Sequence, residues 1–152
     1  MTPAGILRIA FTLALVATCV SCGSNLPATS AVSGVVEYDG KPLTGFDHGA
    51  VIFTPTGGRL AKGTIDPNDG SFRLGTFDSA DGAIVGPAAV TVSATVDAGG
   101  SVEDKYQGIR RVIPEAFSDH HLSGLECEVS AGQRNFFRIK ISSDGTGTIE
   151  TE

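Results

Sequence analysis

The sequence predicts an all-β fold, a single antiparallel β-sandwich of seven short strands, and three observations lead there. Apolar and polar residues alternate with a period of two in several short runs, as in strands with one buried face. Turn-forming clusters separate those runs, and Gly and Pro are plentiful, at 20 and 7 of 152 residues. Beyond residue 22 no stretch holds the 3.6-residue period of an amphipathic helix.

A segment of another kind precedes the strands. Thr2–Arg8 carries one charge, Arg8, and the twelve residues Ile9–Val20 carry none. That run is too short to cross roughly 30 Å of hydrocarbon as a helix, which takes about 20 residues. It fits the apolar part of a cleavable export signal, about 7–15 residues long. Residues 1–21 therefore read as a signal peptide. Its ending, Cys19-Val20-Ser21-Cys22, resembles a lipobox, where a cysteine following a small residue supplies the thiol that takes a diacylglyceryl group. Cys22 is the expected lipidation site, although Leu is more usual at the position of Cys19. Cys19 itself is a second candidate; an ordinary signal with an unmodified thiol and a retained apolar helix are the other readings.

Two or three acyl chains on Cys22 give stable attachment, each buried CH2 contributing about 0.8 kcal/mol. The expected location is exported and lipid-anchored to the bacterial cell membrane. Gly23 in place of Asp favours the outer membrane. Residues 22–31 form an expected lipid-anchored linker, whose last nine residues span at most about 30 Å.

The sandwich is expected over 32–141. Val32, Gly34, Val36 and Tyr38 alternate with Ser33, Val35 and Glu37, and Asp39-Gly40 supplies a tight turn. Ala50–Thr54 is a short apolar strand stopped by Pro55. Leu60–Ile65 and Ser71–Thr76 flank the turn cluster Asp66-Pro67-Asn68-Asp69-Gly70 and read as a hairpin. After Gly86-Pro87, the residues Val90, Val92, Ala94 and Val96 alternate with Thr91, Ser93 and Thr95. Leu125–Ser130 and Arg134–Ile141 complete the set, the latter with Phe137, Ile139 and Ile141 facing in. About 110 residues suffice for one core without metal or disulfide. The polar tail 142–152 is expected to be flexible.

Charge narrows the partners. The chain carries 11 basic and 17 acidic side chains, a net −6, and losing Arg8 with residues 1–21 makes it −7. With no basic run, nucleic acid is not an expected partner. Leu125, Cys127 and Val129 share one strand face, so Cys127 reads as a small buried hydrophobe.

The run Ser33-Gly34-Val35-Val36-Glu37-Tyr38-Asp39-Gly40-Lys41-Pro42-Leu43 resembles the opening of carboxypeptidase regulatory-like (transthyretin-like) domains. The whole chain is similar to small lipoproteins of the planctomycete type that carry such a domain. Val51-Ile52-Phe53-Thr54-Pro55 resembles their second strand, Gly63–Leu74 their hairpin, and Ile113–Asp119 with Ser123-Gly124-Leu125 their late segment. The resemblance implies an immunoglobulin-like or transthyretin-like Greek-key sandwich in an exported, anchored setting, and little about activity. His120-His121 and Ala98-Gly99-Gly100 depart from the family pattern. The tail Glu150-Thr151-Glu152 lacks the Tyr-Arg-Gly-Ser ending of the related hydroxyisourate hydrolases.

The longest connection, 97–124, is 28 residues and the first place to look for a site. Tyr106, Arg110, Arg111 and Phe117 are its candidate contact residues. In the alternative reading the segment is a crossover pinned to the core by Ile113, Pro114 and Phe117. His120-His121 with Asp119 lacks a third metal ligand at suitable spacing, and Asp66-x-Asn68-x-Gly70 departs from a calcium loop at Phe77. No Gly-x-Ser-x-Gly elbow or phosphate loop occurs. No metal, cofactor or catalytic activity is expected. The expected role is a structural or protein-interaction module of the cell envelope. The alternative is a small-ligand or glycan-binding module, although there is no Trp and only Tyr38 and Tyr106 as tyrosines.

Overall fold

The computed structural model describes residues 26–97 and 108–152. The described chain is all-β: β1 (Thr29–Ser30), β2 (Val32–Tyr38), β3 (Lys41–Pro42), β4 (His48–Pro55), β5 (Ala61–Thr64), β6 (Ser71–Arg73), β7 (Ala83–Ile84), β8 (Gly86–Val96), β9 (Arg110–Arg111), β10 (Leu125–Val129), β11 (Asn135–Ile141) and β12 (Gly147–Thr151). One 3-10 turn, Glu115–Ser118, lies between β9 and β10. The first sheet runs β10-β8-β4-β5 with β9 also on β8; the second runs β12-β11-β2-β3 with β6 also on β2; β1 and β7 make a ribbon.

The two large sheets pack face to face. Phe53 of β4 meets Phe137 of β11 with ring centroids 5.5 Å apart, and Phe72 of β6 at 6.5 Å. Val36, Val51, Val90, Val92, Leu125, Ile139 and Ile141 fill the remaining space between the sheets and are all buried. Full burial of side chains this size stabilises the fold by about 1.5–3 kcal/mol each before chain entropy is counted.

All seven expected segments are strands, but four expectations need correction. Among the described residues the strand count rises from seven to twelve, because four two-residue pieces and β12 join the set. The sheets are not purely antiparallel: β2 and β11 pair in parallel, from Val32 opposite Asn135 to Tyr38 opposite Ile141. A period-two pattern is the same for either direction, and a parallel pair needs a long connection, here most of the chain. The linker ends before residue 31. Thr29–Ser30 pairs with β7, Ser30 is buried, and the Ala28 carbonyl accepts from the Val85 N–H at 3.1 Å.

The tail 142–152 is not loose either. The turn Ser142–Gly145 returns the chain along β11, and the Glu152 N–H donates to the Phe136 carbonyl at 3.0 Å. On the outer face Arg138 bridges Glu37 at 2.6 Å and Glu152 at 2.8 Å, and Lys140 meets Glu150 at 2.7 Å. The polarity that suggested fraying is the solvent side of a paired strand.

The hairpin turn Asp66–Gly70 forms as expected. Asp66 accepts from the Asn68 N–H and Asp69 from the Ser71 N–H, each at 2.9 Å, with Gly70 at φ +75° closing the turn. Asp66 also accepts from the Asn68 side-chain amide at 2.7 Å, so its carboxylate helps shape the turn.

Candidate functional site

The described part of the long connection, 108–124, is a cover fastened to one edge of β8. β9 pairs with Thr95 and Val96 at one end of that edge, and β10 pairs with residues 86–90 at the other. Between them β8 has no neighbouring strand, and the cover supplies substitutes. The Val112 N–H donates to the Ala94 carbonyl at 2.9 Å. The Ser118 hydroxyl donates to the Val92 carbonyl at 3.3 Å, and the buried Ser123 hydroxyl to the Val90 carbonyl at 2.8 Å. An edge that could pair with another chain is thereby closed.

Two side chains hold the cover from beneath. Ile113 is buried, and Phe117, on the 3-10 turn, is 1% exposed. Phe117 is therefore removed from the candidate contact residues, because a ring inside the core cannot meet a partner. Ile113 and Phe117 play the pinning role that the crossover reading assigned them.

Arg110 and Arg111 are exposed on β9, as a contact role requires. Arg111 reaches Glu115, four residues on, at 3.0 Å, a solvent-facing pair of small energetic weight. No carboxylate among the described residues stands within ion-pair distance of Arg110. Tyr106 and the lipidation site Cys22 lie outside the described residues.

Beside Arg110, Ile109 is 69% exposed, and Leu122, next to Ser123, is 68% exposed. Only Leu26 and Leu60 join them as large exposed hydrophobic residues in the described chain. Sequence reasoning passed over Ile109 and Leu122, although each is a lone apolar residue in a polar stretch. Whether such a residue turns inward depends on the fold, and its neighbours Ser123 and Ile113 do turn inward.

A shallow groove of about 560 Å³ lies near the same edge, lined among others by Thr54, Thr56, His120, Glu126, Cys127 and Glu128. The His120 and His121 rings sit 3.8 Å apart, and the His121 backbone N–H donates to the Asp119 carboxylate. No set of three or more metal-ligating side chains gathers among the described residues. Cys127 keeps the inward phase expected of it but is only half-buried, and burial pushes its thiol up to about 12. A thiol so shifted is a poor nucleophile near neutral pH.

Compared with known proteins, the chain matches no family model, no curated protein and no solved structure.

Proposed function

We propose that this chain is a lipid-anchored, non-catalytic protein-interaction module of the cell envelope. It is exported by a signal over 1–21 and held by Cys22, and it meets its partner through the outer side of the 108–124 cover. The reading includes the carboxypeptidase regulatory-like, Greek-key assignment. The observation that carries it is the two-sidedness of the cover: Ile113, Phe117, Ser118 and Ser123 fasten its inner side, while Ile109, Arg110 and Leu122 project into solvent. An apolar and cationic surface of this kind suits an acidic protein with apolar side chains.

The test is crosslinking in intact cells, comparing the native chain with Ile109→Glu, Arg110→Glu and Leu122→Glu. Deleting 97–124 is unsuitable because it would remove Ile113 and Phe117 from the core. The reading expects one defined crosslinked species, lost in these variants while the protein remains folded and membrane-bound. A species unaffected by all three, or none in any sample, counts against it.

A second reading has one observation in its favour. The 560 Å³ groove gathers two threonine side chains, an imidazole and two carboxylates, the polar groups a sugar would meet. Thermal stabilisation by an envelope glycan, lost in Glu126→Gln with Glu128→Gln, would select it.

A further inference from the structure

The sandwich has two dissimilar poles, and the chain from Cys22 enters at one of them. Ala28 is held by Val85, Thr29 stands opposite Ile84, and the Ser30 hydroxyl accepts from the Gly132 N–H at 3.2 Å. The β10–β11 turn at this pole is clamped by the buried amide of Asn135, which accepts from the Ser130 N–H and donates to the Ser130 carbonyl. Only residues 23–27 separate Cys22 from the first held residue. Five residues reach at most about 20 Å, so an acyl-anchored Cys22 keeps this pole beside the bilayer.

The same pole carries arginine. Arg73 and Arg134 line a groove of about 320 Å³ together with Ala31, Val32, Ser33 and Ala80. Arg59 and Leu60 lie in the β4–β5 turn, where Gly58 abuts Ile84 of the entry ribbon. No carboxylate among the described residues is within ion-pair distance of Arg59, Arg73 or Arg134. Of the acidic groups nearby, Asp81 accepts from the Thr76 and Phe77 N–H groups and Glu152 pairs with Arg138; Asp78 and Glu128 stay exposed. Leu26, 55% exposed, and Leu60, 48% exposed, are the apolar side chains here.

The far pole is acidic. Its turns and strand ends hold Asp39, Asp47, Asp66, Asp69, Asp97 and Asp144, which outnumber Lys41, Arg110 and Arg111 at the same end. Without residues 1–21 the chain, net −7, would be repelled by an anionic membrane in most orientations, yet this distribution of charge leaves one favourable.

We propose that the Arg59–Arg73–Arg134 pole docks on the phosphates of anionic phospholipids, with Leu26 and Leu60 entering the headgroup layer and the acidic pole held outward. Guanidinium groups suit phosphate because their paired N–H donors match its oxygens. Each one near an anionic surface strengthens attraction about fivefold. The docking holds the sandwich upright and leaves the 108–124 cover accessible from the side. It rests on the Cys22 anchor proposed above.

The test uses the full chain extracted from membranes and inserted into vesicles of phosphatidylcholine, alone or mixed with phosphatidylglycerol. Leu60→Cys and, separately, Lys41→Cys at the far pole are labelled with a water-soluble maleimide. Labelling of Leu60→Cys is expected to slow about fivefold or more on the phosphatidylglycerol vesicles, with Lys41→Cys unchanged. Adding Arg73→Glu and Arg134→Glu should abolish the slowing. Equal Leu60→Cys rates on both lipids, with the chain still vesicle-bound, overturn the docking but leave the anchor standing. Slowing at both positions equally also overturns it. A chain that leaves both kinds of vesicle and lacks acyl mass overturns the anchor and the docking together.

Discussion

The Ser123 hydroxyl donates to the Val90 carbonyl at 2.8 Å, where the ladder between β8 and β10 ends. A side chain thus does the work of a backbone ladder, and the cover that bears it keeps its outer surface for other uses. Ser123→Ala strands a buried acceptor and should cost about 1–3 kcal/mol in urea unfolding. Ser118→Ala removes a longer, partly exposed bond and should cost less.

Gly34 on β2 admits no side chain. A methyl group there would overlap the Phe137 carbonyl of the parallel neighbour and the Phe72 ring. The backbone of β11 cannot retreat without breaking the parallel register. Gly34→Ala should therefore destabilise by about 3 kcal/mol or more, measured as a lower denaturation midpoint with an unchanged slope.

Much of this architecture was legible in the sequence, for a physical reason. The alternation Val32-Gly34-Val36 and Phe137-Ile139-Ile141 records which face meets the core, and burial follows it in both strands. What alternation does not record is the neighbour. The parallel pairing of β2 with β11 is invisible to it, as is the edge of β8 that Ser118 and Ser123 close. Composition misled at Thr148 and Glu150, because a strand exposed on one face and stitched by Lys140 and Arg138 reads as a polar tail. For the site, Arg110 and Arg111 were legible as charges in a long connection. The inward turn of Phe117 and the outward turn of Ile109 and Leu122 depend on tertiary packing alone.

Cys127 should behave as an inert thiol. With its pKa pushed up to about 12 by burial, its thiolate fraction at pH 8 lies about a thousandfold below that of a free cysteine. Maleimide labelling of the native protein should be slow by about that factor and become fast in denaturant. Fast labelling of the folded chain would contradict the burial.

Acid should unfold the protein partly through its turns. Burial pushes the Asp81 carboxyl up, but the Thr76 and Phe77 N–H groups, at 2.6 and 3.1 Å, outweigh it and hold it below the usual carboxylate range. Ser71 lowers Asp69, and Thr146 lowers Asp144. A carboxyl lowered in the folded state contributes stability that is complete above its unfolded value and lost as pH falls through the folded one. Stability should therefore drop below about pH 4. Asp81→Asn should flatten that drop while lowering stability at pH 7 by about 1 kcal/mol.

The measurement that bears most directly on the account is the intact mass of the chain extracted from bacterial membranes by detergent. The account predicts a chain that begins at Cys22 and carries a diacylglyceryl group on that residue. Cys22→Ser should abolish the modification and leave the signal uncleaved at this position. A chain beginning elsewhere, or one beginning at Cys22 with a free thiol, would contradict the anchor on which the interaction and docking proposals both stand.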